Sequence, residues 1–343
     1  MRQISVGLVG YGLAGSVFHA PLLSASKMWL AAVVTSRVEQ LKADLPEVEA
    51  VPSLDRLLAD SDIELVVVAS PTATHFEIAR AALEHGKNVV VDKPFTVTVR
   101  EADTLIELAA RRNLLLSVFQ NRRWDNDFLT VKSCIEQGEL GAIYHFESHF
   151  DRFRPRIRPG WREEPGRGSG ILYDLGAHLI DQALLLFGMP SAVTADVLVQ
   201  RSDARATDYF HLILDYGRMR AILHGSALVC GPGPHFLVHG DGGSFVKYGM
   251  DSQEEALKAG KRPGDPEWGL DKPEQYGELT LADGTRRRVE TIRGGYEHFY
   301  EGIAASLLHG APPPVNPVDS RNGLVVIEAA LRSAAERRTV AII

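Results

Sequence analysis

Apolar positions change rhythm about a third of the way along the chain. Through residues 1–120, short runs of consecutive apolar, often β-branched residues recur at 4–9, 30–35, 65–69, 89–92 and 114–119. Unbroken runs of this length suit strands covered on both faces, as in a parallel sheet. Helix-length segments separate them, and Thr74-x-x-Glu77 and Thr98-x-x-Glu101 supply capping-box starts for two of these. The alternation predicts an α/β Rossmann domain with a doubly wound parallel sheet over residues 1–120.

Beyond residue 121 the strands look antiparallel, at 143–150, 192–201, 209–216 and 218–228, with Tyr216-Gly217 turning between the last two and shorter pieces running to about 289. A helix is expected at 127–136. Residues 170–187 are apolar nearly all round and predict a buried helix. Residues 249–277, rich in Lys, Glu, Gly and Pro, read as an exposed excursion. Asn316-Pro317-x-Asp319 starts a last helix at about 317–337, with proline at its first position. Residues 121–343 are therefore expected to form a second, α+β domain with a mainly antiparallel sheet; whether the last helix packs back towards the first domain stays open.

Length and charge narrow the field. A chain of 343 residues exceeds one ordinary core, so two domains are expected. The formal net charge of -7 leaves no excess of cations for a phosphate backbone, which argues against nucleic acid as partner. Cys134 and Cys230, with no C-x-x-C, fit a reducing cytoplasm and no structural zinc. Neither a secretion signal nor an apolar run of ~18 residues is evident, so no membrane association is expected.

The first candidate chemistry follows the first strand. Gly10-Tyr11-Gly12-Leu13-Ala14-Gly15 is a G-x-G-x-x-G between a strand and a helix, the context of a dinucleotide fingerprint. Gly10 would allow the tight turn, Gly12 the approach of a diphosphate, and Gly15 close helix packing; Leu13 and Ala14 complete the loop. After the second strand, where an NAD site usually has a carboxylate, stand Thr35, Ser36 and Arg37. A hydroxyl and a guanidinium suit a 2′-phosphate, so NADP(H) is the expected cofactor. Ser70, Pro71, Thr72 and His75 follow the third run. Asp92, Lys93 and Pro94 follow the fourth, and Gln120 the fifth. All lie on the carboxyl edge where such sheets bind ligands.

A second constellation lies in the buried segment. At about 100° per residue, Asp174, His178 and Asp181 form one polar stripe. Buried carboxylates need partners, a ligand or solvent, so a catalytic stripe and a satisfied structural network both remain open. No further His or Cys cluster has ligand spacing, so no metal is expected. Upstream, Arg152, Arg154, Arg156, Arg158, Arg162 and Arg167 are interrupted by Pro155, Pro159 and Pro165, which forbid a regular helix. This long loop either covers cofactor phosphates or an oxygen-rich substrate, or is merely solvated. Trp161 within it is a candidate to cap a pocket.

These residues together resemble the Gfo/Idh/MocA oxidoreductases essentially end to end. The glycine loop comes first, Asp92-Lys93-Pro94 stands where that family usually has Glu-Lys-Pro, and Asp174-x-x-x-His178 follows. Phe18-His19-Ala20-Pro21-Leu22 and Phe119-Gln120-Asn121-Arg122-Arg123-Trp124 look like the subgroup that includes NADP-dependent scyllo-inositol 2-dehydrogenases. The resemblance implies a catalytic set of Lys93, Asp174 and His178, and an open antiparallel sheet in residues 121–343 that serves substrate binding and oligomerisation, as a homodimer or homotetramer. Asn121, Arg122, Trp161 and Asp181 are expected to face the substrate. His178, with an unperturbed pKa near ~6.5, is the expected general base; Lys93, near ~10.4, is expected to stay cationic and polarise the carbinol oxygen. The expected substrate is a cyclic polyol or sugar, and reduction of another keto-sugar or a dicarbonyl is the competing reading. A non-catalytic NADP(H) sensor would not need the catalytic set, and a methyltransferase would commonly place a carboxylate near Ser36 and Arg37.

Overall fold

The computed structural model describes residues 3–26 and 28–342. The chain forms two compact units: Met1–Asn121 with Gln253–Trp268 and Gly295–Arg321, and Arg122–Ser252 with Gly269–Gly294 and Asn322–Ile343.

In the first unit, β1 (Ile4–Val9), β2 (Met28–Val34), β3 (Glu49–Val51), β4 (Leu65–Val68), β5 (Asn88–Asp92) and β6 (Leu116–Phe119) form a sheet in the order β3-β2-β1-β4-β5-β6. Every pairing is parallel. Val66, Val67, Val68, Val89, Val90 and Val91 have no exposed surface, as a two-sided cover requires. Strand order reverses between β1 and β4, so their carboxyl ends open the crevice that such sheets use for ligands.

Thr98 caps the helix Val99–Arg112 as expected: its Oγ1 accepts from the Glu101 amide at 3.2 Å, and Glu101 Oε2 accepts from the Thr98 amide at 3.2 Å. The box expected at Thr74 does not form. Thr74 Oγ1 instead donates to the Pro71 carbonyl at 2.7 Å and lies 2.7 Å from Ser70 Oγ, because a 3₁₀ turn over Thr72–Thr74 precedes the helix His75–Glu84. The excursion expected over 249–277 is also corrected. Gln253–Lys258 is helical, Leu257 and Trp268 are buried, and Trp268 Nε1 donates to Glu297 Oε2 at 2.8 Å. The polar composition belongs to the exposed residues between these anchors, and an average over the window hides the anchors.

The second unit carries β7 (Ile143–His149), β8 (Ala192–Leu198), β9 (Tyr209–Tyr216), β10 (Met219–Ser226), β11 (Phe236–Gly240), β12 (Gly243–Lys247), β13 (Gly277–Leu281), β14 (Arg286–Val289) and β15 (Val340–Ala341). Their order is β14-β13-β12-β11-β7-β10-β9-β8-β15, with only the β7 and β10 pair parallel. Phe146, Phe210, Leu212, Leu214, Leu223, Phe236, Val238 and Phe245 point to one face and are fully buried. On the opposite face, His145, Glu147, His149, His211 and His224 are only half-buried. β8 stops short of Arg201, which leaves the ladder to donate to Asp208 Oδ2 at 2.7 Å and Glu163 Oε2 at 2.6 Å.

The last helix spans Pro317–Glu336, and Asn316 Oδ1 accepts from the Val318 amide at 3.0 Å, as its cap signature predicted. Among the described residues, no helix is long and apolar enough to cross a membrane.

Candidate active site

One group of candidate site residues is built on the carboxyl ends of β1, β4 and β5 of the first unit. Gly10 has φ +103, and its amide donates to the Val34 carbonyl at 2.9 Å. A side chain there would be strained and would press on the Ala69 carbonyl at 2.6 Å. A Cβ on Gly15 would run into the Gly10 carbonyl, so the helix packs on the loop only with glycine there. Gly12, by contrast, has nothing within 4 Å of its Cβ position. Two glycines thus serve internal packing, and the third leaves space beside the backbone. Ser36 and Arg37 are exposed after β2, with the Arg37 amide donating to Thr35 Oγ1 at 2.9 Å.

On the neighbouring strand ends, Pro71 is exposed and Thr72 is buried. Gln120 is buried, and its Oε1 has no hydrogen-bond partner among the described residues. An orphaned buried amide oxygen and the open space at Gly12 fit a dinucleotide bound at this edge. His75 sits differently from a ligand contact. It is 1% exposed, with Nδ1 2.9 Å from the Pro94 carbonyl and Nε2 2.9 Å from the Ser70 carbonyl, so the ring is wedged between two loops of the edge and its one N–H donates to one of them. Burial holds its pKa below the ordinary imidazole value, against the opposing pull of Asp92 and the carbonyls.

Lys93 is half-buried and is joined to Pro94 by a cis peptide. Its amide donates to Asp92 Oδ1 at 2.8 Å. The other carboxylate oxygen lies 3.9 Å from His19 Nε2, and His19 Nδ1 lies 2.6 Å from the Tyr300 hydroxyl. Tyr300, His19 and Asp92 therefore form a buried line ending at the Lys93 backbone. The sequence reading placed His19 only within a subgroup motif and missed Tyr300, which lies 281 residues away in the chain.

Burial alone would raise the Asp92 carboxyl, but His19, Lys93 and His75 outweigh it and hold it below the ordinary range. The Tyr300 hydroxyl is pushed well above the ordinary phenol value, by burial first and Asp92 second. A depressed folded-state carboxyl contributes stability above its unfolded pKa of ~3.9, and that contribution is lost as pH falls through the folded value. Asp92→Asn is thus expected to lower the urea midpoint at neutral pH, with the gap to wild type closing as the pH drops below ~4. A gap that stayed constant across that range would show that Asp92 stabilises by shape alone.

A second group of candidate residues lies in the second unit. Residues Leu172–Gly176 form a π-helical turn before the helix Ala177–Phe187. The 100° spacing assumed for one stripe therefore fails between Asp174 and His178. Asp174 Oδ1 accepts from Arg162 Nε at 3.0 Å, and Arg152 stands 3.7 Å from Oδ2. Arg162 also stacks over Trp161, 4.4 Å from its ring centroid. These pairs give two arginines of the proline-broken loop a definite task. With Arg154, Glu163, Arg201 and Asp208, they line a pocket beside Asp174.

His178 is 5% exposed. Asp181 is buried and held by Arg123 in a bidentate pair, Nε to Oδ2 at 2.8 Å and Nη2 to Oδ1 at 2.7 Å. Arg122 is likewise buried, donating to Asp125 Oδ2 at 3.0 Å and lying over the Phe150 ring. Asn121 is 5% exposed. The residues expected at the substrate thus divide: Trp161 lies in the arginine loop and Asn121 is buried, whereas Arg122 and Asp181 are held in internal ion pairs.

Comparison with known proteins gives the same outline. Residues 4–120 match the GFO_IDH_MocA family model described as "Oxidoreductase family, NAD-binding Rossmann fold". Residues 132–342 match its companion, "Oxidoreductase family, C-terminal alpha/beta domain". The chain is 47% identical over 341 residues to the scyllo-inositol 2-dehydrogenase (NADP(+)) IolW of Bacillus subtilis (strain 168), covering 98% of this chain and 95% of that protein. It is 46% identical to the oxidoreductase YdgJ of Escherichia coli (strain K12), covering 98% of each. Among solved structures, the oxidoreductase YvaA of Bacillus subtilis superposes with a TM-score of 0.97 at 46% identity over 99% of each chain. An oxidoreductase of Yersinia pestis gives 0.95 at 43% identity, over 99% of this chain and 97% of that one.

Proposed function

The chain belongs to the Gfo/Idh/MocA oxidoreductase family, and we propose that it is an NADP(H)-dependent dehydrogenase acting on a secondary alcohol of a cyclic polyol or sugar, with scyllo-inositol as the leading substrate. The observation that carries this is the charge pattern after β2, where Ser36 and Arg37 stand exposed and no carboxylate is present. A relative named for NADP(+) and scyllo-inositol at 47% identity supports the same choice.

When bound, the nicotinamide accepts or delivers hydride at its C4 atom. Gly10 to Gly15 would receive the diphosphate at the start of a helix, where backbone amides point outward. Ser36 and Arg37 would hold the 2′-phosphate, while Gln120, Ser70, Pro71 and Thr72 would border the rest of the dinucleotide. His178 takes the hydroxyl proton as the carbinol carbon is oxidised. Lys93 stabilises negative charge developing on the same oxygen. Asp174, already hydrogen-bonded to Arg162, orients the polyol and keeps a guanidinium beside its hydroxyls. The Tyr300, His19 and Asp92 line positions the Lys93 loop, and Arg122, held by Asp125, is left a supporting role.

Initial rates at 340 nm with NADP and NAD, against a panel of inositols and aldoses, test this reading. Scyllo-inositol with NADP is expected to give the highest kcat/KM. Faster turnover with NAD would overturn the Arg37 assignment, and preference for a keto-sugar or dicarbonyl would replace the substrate. Arg37→Ala is expected to raise KM for NADP by about 10- to 100-fold, the worth of ~1.5–3 kcal/mol for a charged hydrogen bond, while leaving KM for NAD nearly unchanged.

A further inference from the structure

The open face of the second unit's sheet holds a group of side chains that the proposed reaction does not use. Period-two alternation puts His145, Glu147 and His149 of β7 on this face, and register sets His149 opposite His224 of β10, which in turn faces His211 of β9. Asp151 follows just beyond β7. Its Oδ1 accepts from the Ser226 amide at 3.1 Å, which fixes the carboxylate between the two imidazoles.

We propose that His149, Asp151 and His224 bind a divalent first-row transition-metal ion of the zinc class. One ligand atom from each residue lies within 4.8 Å of the other two. His224 Nε2 is 3.4 Å from Asp151 Oδ1, and His149 Nδ1 is 3.8 Å from Asp151 Oδ2. Zinc to ligand distances of ~2.0–2.1 Å imply a tetrahedral edge of about 3.3 Å, which the His224 and Asp151 contact already approaches, while the three ligand atoms together draw in from a spread of up to 4.8 Å.

Outer partners set the ring orientations such a site needs. His149 Nε2 lies 2.8 Å from Glu147 Oε2, so its N–H donates there and the Nδ1 lone pair is left on the Asp151 side. Glu147 Oε1 is held in turn by His145 Nε2 at 2.6 Å. His224 Nδ1 lies 3.4 Å from His211 Nδ1; donation along that line leaves the Nε2 lone pair towards Asp151. Carboxylate or imidazole partners behind ligating histidines are the usual support of such centres. The His149 and His224 side chains remain 24% and 17% exposed, so an ion can enter and water can take the fourth position. The linear sequence concealed the set because His224 lies on another strand, far along the chain from His149 and Asp151.

The test uses tag-free, chelator-treated protein titrated with Co²⁺ and then Zn²⁺. One equivalent of Co²⁺ is expected to give the visible absorption of a four-coordinate ion, and Zn²⁺ to displace it. Affinity is expected to fall more than 100-fold in His149→Ala and His224→Ala, and about 10- to 100-fold in Glu147→Gln. Absence of a one-equivalent band, or undiminished binding in both histidine variants, would overturn the proposal. X-ray absorption of the zinc-loaded wild type decides the matter even if a variant fails to fold. Two imidazoles and a carboxylate in the shell support the site, whereas a thiolate or an oxygen-only shell rejects it.

Discussion

Lys93→Met is expected to reduce kcat by at least 10²- to 10³-fold while leaving the NADPH dissociation constant within a few-fold of wild type. The side chains are similar in length, and what disappears is the cation. Loss of one preorganised group that stabilises a developing oxyanion typically costs about that factor, or ~2.7–4 kcal/mol. The loop should survive the change, because the Asp92 carboxylate accepts from the Lys93 backbone amide at 2.8 Å, a bond the substitution leaves in place. NADPH fluorescence in a binding titration reads the first half of the expectation, and steady-state rates read the second. Substantial turnover by the variant would remove Lys93 from the catalytic set. Lost NADPH binding would make it a cofactor anchor instead.

Asp181→Ala should unfold the second unit much more readily, by about 3–5 kcal/mol, because it strands the Arg123 guanidinium without its counter-charge. Both side chains are nearly inaccessible, at 9% for Arg123 and 4% for Asp181, and the pair is bidentate. Replacing both partners, as in Arg123→Met with Asp181→Leu, is expected to restore most of the loss, since the desolvated charges then vanish together. Urea midpoints of the two singles and the double provide the comparison. If Asp181 instead served mainly as a substrate contact, the single variant would keep the wild-type midpoint and show its defect in KM.

The contrast between Asp174 and Asp181 shows how far the sequence could be taken. Both were acidic residues on an apolar segment, and both required compensation. Nothing in the linear order assigned Arg162 to one and Arg123 to the other, because those partners lie 12 and 58 residues away in the chain. The π-helical turn at Leu172–Gly176 was equally invisible, since its residues follow an ordinary helical pattern. Trp268 escaped for a related reason: one large apolar residue in a polar window reads as incidental until its partners are known. By contrast, the capping box at Thr98 was legible because all its atoms lie within one turn.

Local rules therefore determined the parallel sheet, the glycine loop and the missing acid after β2 from the sequence alone. Each rests on the covalent neighbourhood: consecutive β-branched residues make buried strands, and a G-x-G-x-x-G between a strand and a helix marks the loop, although the contact that demands glycine at position 10 is tertiary. Tertiary structure alone decided which charges are paired and which stand exposed. It joined Tyr300 and His19 to the Lys93 loop, committed Asp181 and Arg122 to internal pairs, and gathered His149, Asp151 and His224 on one sheet face. Electrostatic and ligand-forming interactions act through space over a few ångströms, and strand register sets those distances between residues far apart in the chain.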